Sequence, residues 1–160
     1  MRNVLFSILA CFIMISCDHD FIYIDKITEI VGEDMGECIE KKQACSEAIG
    51  EWYICETYEF ENSEKLPPKH NSLCSNDILW IKQDWLNLPI DSNSEISNVV
   101  LNYCGTDRTQ TLSREMKKIN AKGSGYYSFC VKPSLDDPRY IIFCLLDTNK
   151  AKLYVVDAHL

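Results

Sequence analysis

The first seventeen residues set the terms for everything after them. One cation, Arg2, precedes an apolar run from Val4 to Ile15, and the small residue Ser16 stands immediately before Cys17. A charged start, an apolar middle and a small-residue end make an export signal. The run falls short of the roughly 20 residues a membrane span needs, and it stops at the polar cluster Asp18-His19-Asp20. A buried N-terminal helix would not need Arg2 and Ser16 at these places. Removing residues 1–16 from 160 leaves 144, enough for one domain with its own core and too few to expect two. The chain therefore reads as a signal peptide, 1–16, followed by a single exported domain, 17–160.

Export also predicts how the domain is held together. Of nine cysteines, Cys11 leaves with the signal and Cys17 becomes the first residue. Seven remain: Cys38, Cys45, Cys55, Cys74, Cys104, Cys130 and Cys144. That density in a small exported domain predicts a disulfide framework. An odd count allows at most three bridges and leaves one thiol over. Connectivity does not follow from spacing.

The tetrad Met14-Ile15-Ser16-Cys17 resembles the lipobox of bacterial lipoproteins, although Met14 stands where that motif usually has leucine. A second match, Ile8-Leu9-Ala10-Cys11, leaves an apolar run of only about six residues, below the roughly 7 to 15 of an export signal. The resemblance covers this segment alone and identifies a processing route. It implies lipidation of Cys17 and a periplasmic protein held to the membrane through its lipid, with simple secretion as the alternative. Asp18, which follows the lipidated cysteine, resembles the inner-membrane retention signal of enteric lipoproteins, so the inner membrane is favoured over the outer.

Apolar content of 46% and aromatic content of 11% place the domain among folded globules. Losing Arg2 takes the formal charge from −8 to −9, which disfavours binding nucleic acid through its phosphates. Acidic residues gather in two places. One holds Glu29, Glu33, Asp34, Glu37 and Glu40, the other Glu56, Glu59, Glu61 and Glu64. Such runs ordinarily form a solvated face that keeps a domain soluble. The sharper reading makes Glu56, Glu59, Glu61 and Glu64 a docking surface for a basic protein.

Periodicity predicts the elements. Residues 21–31 alternate partly and read as a strand. Met35, Cys38, Ile39, Lys42, Cys45 and Ile49 share a helical face, so 33–49 reads as a helix stopped by Gly50. Glu51 to Phe60 alternates as a strand, 62–76 with Pro67-Pro68 is a loop, and 77–88 fits either a helix or a short strand. A polar connection at 89–97 leads to a strand over 98–104. A helix over 113–121 starts at Thr111 or Ser113 and ends at Gly123. The C-terminal third is β-rich, with strands at 126–132, 139–146 and 152–157 and a turn at Asp147-Thr-Asn-Lys150. The expected fold is α+β: an antiparallel sheet, two or three helices on one side, and disulfide stabilisation.

Chemistry-bearing motifs are sparse. Neither C-x-x-C nor H-E-x-x-H occurs, and Asp18-His19-Asp20 reads as a tether, so no metal site is expected. Cysteine–histidine catalysis would need a thiolate beside His70 or His159, which lie in the proline-rich loop and next to the C-terminus. Gly123-Ser124-Gly125 lacks nucleophile-elbow spacing, the glycines form no phosphate loop, and Asp136-Asp137 precedes Pro138 in a turn. Neither a cofactor nor an enzymatic activity is expected. Trp52, Trp80, Trp85, Tyr126 and Tyr127 suit core packing first and a ligand cavity second. Small size, export, cysteines and acidic clusters point to an immunity-type inhibitor that binds a toxin acting in the periplasm or on the membrane. The alternative is a lipoprotein that binds a small ligand or an envelope component.

Overall fold

The computed structural model describes residues 30–31, 35–48, 51–61, 79–102 and 105–160. Within them the chain forms six strands and two helices: β1 Cys38–Ala48, β2 Glu51–Phe60, β3 Ile81–Asn87, α1 Glu95–Asn102, α2 Asp107–Lys122, β4 Tyr126–Pro133, β5 Pro138–Asp147 and β6 Lys152–His159. The strands make one sheet in the order β1-β2-β6-β5-β4-β3, with every neighbouring pair antiparallel. The α+β expectation holds at this level.

β5 and β6 occupy the centre, and their near-continuous apolar text (Ile141 to Leu146, Leu153 to Val156) follows from burial on both faces. On one face Tyr53, Cys55, Phe143, Leu145, Tyr154 and Val156 pack beneath α1 and α2. On the other, Ile54, Tyr58, Ile142, Cys144, Leu153 and Val155 pack with Ile30, Val31 and Met35. Ile30 and Val31 are helical, which corrects the end of the strand expected over 21–31; residues 21–29 lie outside the described residues. Ile30 and Val31 also cover the face opposite α1 and α2, so the helical cover is not confined to one side.

α2 begins where Thr106 turns extended and its Oγ1 accepts from the Thr109 backbone N–H. Asp107 complements the helix dipole, and Gly123 ends the helix in the left-handed region at φ 65°. The N-terminus thus lies a turn and a half earlier than expected, because the capping threonine precedes a polar stretch without an apolar stripe. α1 corrects the strand expected over 98–104. Ser94 Oγ accepts from the Ser97 backbone N–H at 3.1 Å, and Ile96, Val100 and Leu101 form one buried face. Val99-Val100-Leu101 favours a strand by propensity, but the cap and the sheet beneath it select a helix.

β1 corrects the helix expected over 33–49. Its residues pair with β2 from Cys38↔Phe60 to Ala48↔Glu51, ends only two residues apart in sequence. Lys41, Gln43 and Cys45 register with Tyr58, Glu56 and Ile54 on one face, while Lys42 and Ala44 take the other. Cross-strand pairing overrides the helix-favouring composition. Residues 81–87 take the strand alternative as β3, whereas 62–76 lies outside the described residues. From Tyr126 onward the three expected strands and the Asp147–Lys150 turn are in place, the turn held by Asn149 N–H donating to Asp147 Oδ1 at 3.0 Å. Gly125, at φ 138°, lies so close to Leu146 that an added Cβ would come within 2.0 Å of its carbonyl oxygen.

Candidate functional site

Strand alternation disperses the acidic cluster expected to bind a partner. Glu56 points into the face shared with Ile54 and Tyr58 and is 1% exposed. There its Oε1 lies 2.8 Å from Lys41 Nζ, and its Oε2 accepts from the Tyr58 hydroxyl. Burial, followed by that hydrogen bond to Glu56, pushes the Tyr58 phenol far above its ordinary value and keeps it a donor. Glu59 faces the opposite side and pairs with Lys152 at 3.0 Å, and that bond holds its carboxyl below the ordinary range. Glu61 is exposed at the end of β2, and Glu64 lies outside the described residues. Glu56 and Glu59 therefore do not share one surface.

The cysteines are likewise redistributed. Cys38, Cys55 and Cys144 carry free thiols, so at most two bridges form among the seven, not three. Cys55 registers with Val156 and Cys144 with Val155, which puts them on opposite faces of the sheet. Burial raises both thiols far above their ordinary value, leaving them inert. Cys45 and Cys130 are disulfide-bonded. Cys17, Asp18, Cys74, Cys104 and His70 lie outside the described residues. His159 is not simply solvent-exposed: its ring stacks on Tyr140 at 4.1 Å and approaches Trp52 at 4.3 Å. Trp52, Trp80, Trp85 and Tyr126 pack against the core on that same face. Tyr127 packs on the other. Among the described residues no three or more Cys, His, Asp or Glu groups are placed to hold a metal ion.

Two surface grooves formed by the described residues bear on function. One, of about 540 Å³, runs between β1 and α2 and is lined by Lys42, Asp107, Arg108, Glu115 and Lys152 among others. Several of its charges answer one another. Lys152 pairs with Glu59 and lies 3.8 Å from Glu115, Tyr154 donates to Glu115 at 3.0 Å, and Lys42 pairs with Glu40 at 2.7 Å.

The other groove, of about 460 Å³, has a different character. It lies where β3 and β4 pass beyond α1. Its apolar wall is Leu86, Ile90, Ile96, Tyr127, Phe129 and Leu135, and its carboxylates are Asp91, Glu95 and Asp136, with no lysine or arginine among the described residues of the lining. Leu86 and Leu135 are 42% and 46% exposed, so part of this wall faces water. The fold explains the juxtaposition. The Leu86↔Tyr127 register puts both side chains on the α1 face, and Tyr127 stacks parallel to Phe129 at 6.4 Å. Asp91 Oδ1 accepts from Asn93 N–H at 2.9 Å, in the turn that leads into α1. Burial, assisted by the Asp91 charge, raises the Tyr127 phenol above its ordinary value. Ser94 Oγ is engaged in the turn, donating to the Asp91 carbonyl at 2.9 Å.

An apolar floor under three carboxylates can bury a hydrophobic side chain while receiving a cation beside it. Sequence reasoning placed Asp136 only in a turn and Tyr127 among generic aromatics. The groove joins residues 83 to 136 through strand register, and no local motif marks it. No family model, curated protein or solved structure matches the chain.

Proposed function

We propose that the chain is an exported lipoprotein of the immunity type, which binds and neutralises a basic protein toxin acting in the periplasm or on the membrane. The observation that supports this reading is the groove, whose exposed Leu86 and Leu135 lie beside Asp91, Glu95 and Asp136 with no cation among the described residues that line it. The partner segment would bring an apolar anchor flanked by lysine or arginine. Desolvating the anchor would supply affinity, and the carboxylates would steer the encounter and fix orientation. Lipidation at Cys17 with inner-membrane retention through Asp18 belongs to the same proposal, as does a disulfide framework that includes Cys45 and Cys130.

The test uses a photo-crosslinking residue in place of Leu135 in the native envelope, followed by purification of the captured protein. With that partner, Glu95→Gln/Asp136→Asn should lower the association rate at low salt, with the difference shrinking as salt is raised. Cells producing the chain should survive the partner's toxicity. An association rate unchanged at low salt would exclude the groove as the docking site, and a partner harmless to cells lacking the chain would exclude the immunity reading. Cys17→Ala should release the protein from the membrane fraction, and unchanged partition would remove lipidation.

The alternative, binding of a small ligand or an envelope component, has its own observation. The groove between β1 and α2, at about 540 Å³, falls within the size range of ligand pockets. A small molecule that co-purifies in stoichiometric amount would favour it.

A further inference from the structure

Helix α2 presents a surface that neither groove accounts for. Its inward side is Thr109, Ser113, Met116 and Ile119, all buried. On the outward side Arg114, Lys118 and Lys122 follow one another at four-residue spacing with Lys117 beside them, and all are exposed. Arg108, which also lines the groove between β1 and α2, extends the charge into the first turn. Cations four residues apart on a helix repel one another. Lys118 and Lys122 lie where the negative end of the helix dipole repays some of that repulsion, but Arg114 is mid-helix and Arg108 faces the positive end. Among the described residues no carboxylate pairs with any of the five. Arg114 donates only to Gln110, at 3.1 Å. The helix carries two carboxylates, Asp107 and Glu115, and Glu115 already receives Tyr154 and Lys152. A concentration of unanswered positive charge in a chain of net charge −8 is a local conflict that an external anion would relieve.

We propose that this face of α2 lies against an anionic phospholipid surface. The occupant follows from charge complementarity together with the export signal and the lipid anchor proposed at Cys17, which place the domain beside a membrane. Arg114 to Lys122 covers about 12 Å of helix axis. α2 packs over β1 and β2, while α1 packs over β5, so the acidic groove beyond α1 stays clear of the lipid-facing side. Membrane contact and partner binding would use opposite ends of one face.

Each lysine or arginine near such a surface contributes about five-fold in binding, so Arg114, Lys117, Lys118 and Lys122 together should contribute roughly a few hundred-fold at low salt. The screening length falls from about 10 Å at 0.1 M salt to about 3 Å at 1 M. The full mature protein is mixed with excess vesicles of phosphatidylcholine, with or without phosphatidylglycerol, and lysines are labelled with an amine-reactive reagent read by mass spectrometry. Lys117, Lys118 and Lys122 should be labelled at least five-fold more slowly with phosphatidylglycerol at low salt, and at the free rate at 1 M salt. Lys150, exposed in the β5–β6 turn, should not change. Arg114→Gln/Lys117→Gln/Lys118→Gln should remove the protection of Lys122. Equal labelling on both vesicle types overturns the proposal, as does protection that appears only when an acidic protein is added. Partition onto phosphatidylcholine vesicles reports the lipid anchor by itself, so loss of that anchor and failure of the α2 surface give different results.

Discussion

Lys41→Met should destabilise the domain through a residue it leaves untouched. Glu56 is 1% exposed, and its charge is answered by Lys41 Nζ at 2.8 Å and the Tyr58 hydroxyl. Removing the cation leaves a buried carboxylate with a neutral donor alone. Breaking a buried pair from one side costs about 3 to 5 kcal/mol. The Lys41 side chain is 33% exposed, so solvent already screens part of the pair and the low end, about 3 kcal/mol, is expected. Glu56→Gln should cost less, about 1 to 2 kcal/mol, because glutamine can still accept from Tyr58 and Lys41 can turn to water. The double variant should resemble Glu56→Gln alone, giving a coupling of about 3 kcal/mol, the whole cost of Lys41→Met, in a double-mutant cycle. Urea unfolding with unchanged m-values measures all three. Lys41→Met within 0.5 kcal/mol of the parent, or additive single effects, would refute the buried-pair argument. A Glu56 that served only as an exposed docking residue would give that additive, near-silent result.

Four further outcomes follow from the geometry. Alkylation under denaturing, non-reducing conditions should label three of the seven cysteines, Cys38, Cys55 and Cys144, and in the native protein Cys38 alone, the exposed one. Cys45 and Cys130 sit on β1 and β4, four strand spacings or about 19 Å apart, far beyond the roughly 7 Å a bridge allows. Peptide mapping should therefore join each to Cys74 or Cys104, with Cys45–Cys104 favoured because Thr106 Oγ1 donates to the Cys45 carbonyl at 3.4 Å; a Cys45–Cys130 peptide would contradict the sheet order. Gly125→Ala should cost about 3 kcal/mol or more in the same urea assay, since φ 138° is strained for a side chain and the Cβ would meet the Leu146 carbonyl; a loss under 1 kcal/mol would show that the turn can shift. Glu59 titrates below its ordinary value in the folded state because of Lys152, so its contribution is present above the unfolded pKa and lost as pH falls through the folded one. Glu59→Gln should flatten the acid limb of stability against pH, and an unchanged limb would show that the Lys152 pair is silent.

The sequence by itself determined what depends on neighbours along the chain. β2, β5 and β6 were legible because alternation or an unbroken apolar run leaves little choice, and so was the Asp147–Lys150 turn. The end of α2 at Gly123 was equally local, since a left-handed C-cap suits glycine. Only the tertiary structure decided the rest. β1 carries helix-favouring residues and becomes a strand because β2 lies two residues away to pair with it. Val99-Val100-Leu101 prefers a strand and becomes helical because a cap starts α1 and the sheet receives its apolar side. Glu56, Glu59 and Glu61 look like one acidic surface in sequence, yet a period of two sends Glu56 inward to Lys41 and Glu59 to the opposite face and Lys152. The candidate groove is the extreme case. Asp91, Tyr127 and Asp136 meet only through the register of β3, β4 and the turn before α1, and pairing across a sheet is a property of two strands that neither one carries alone.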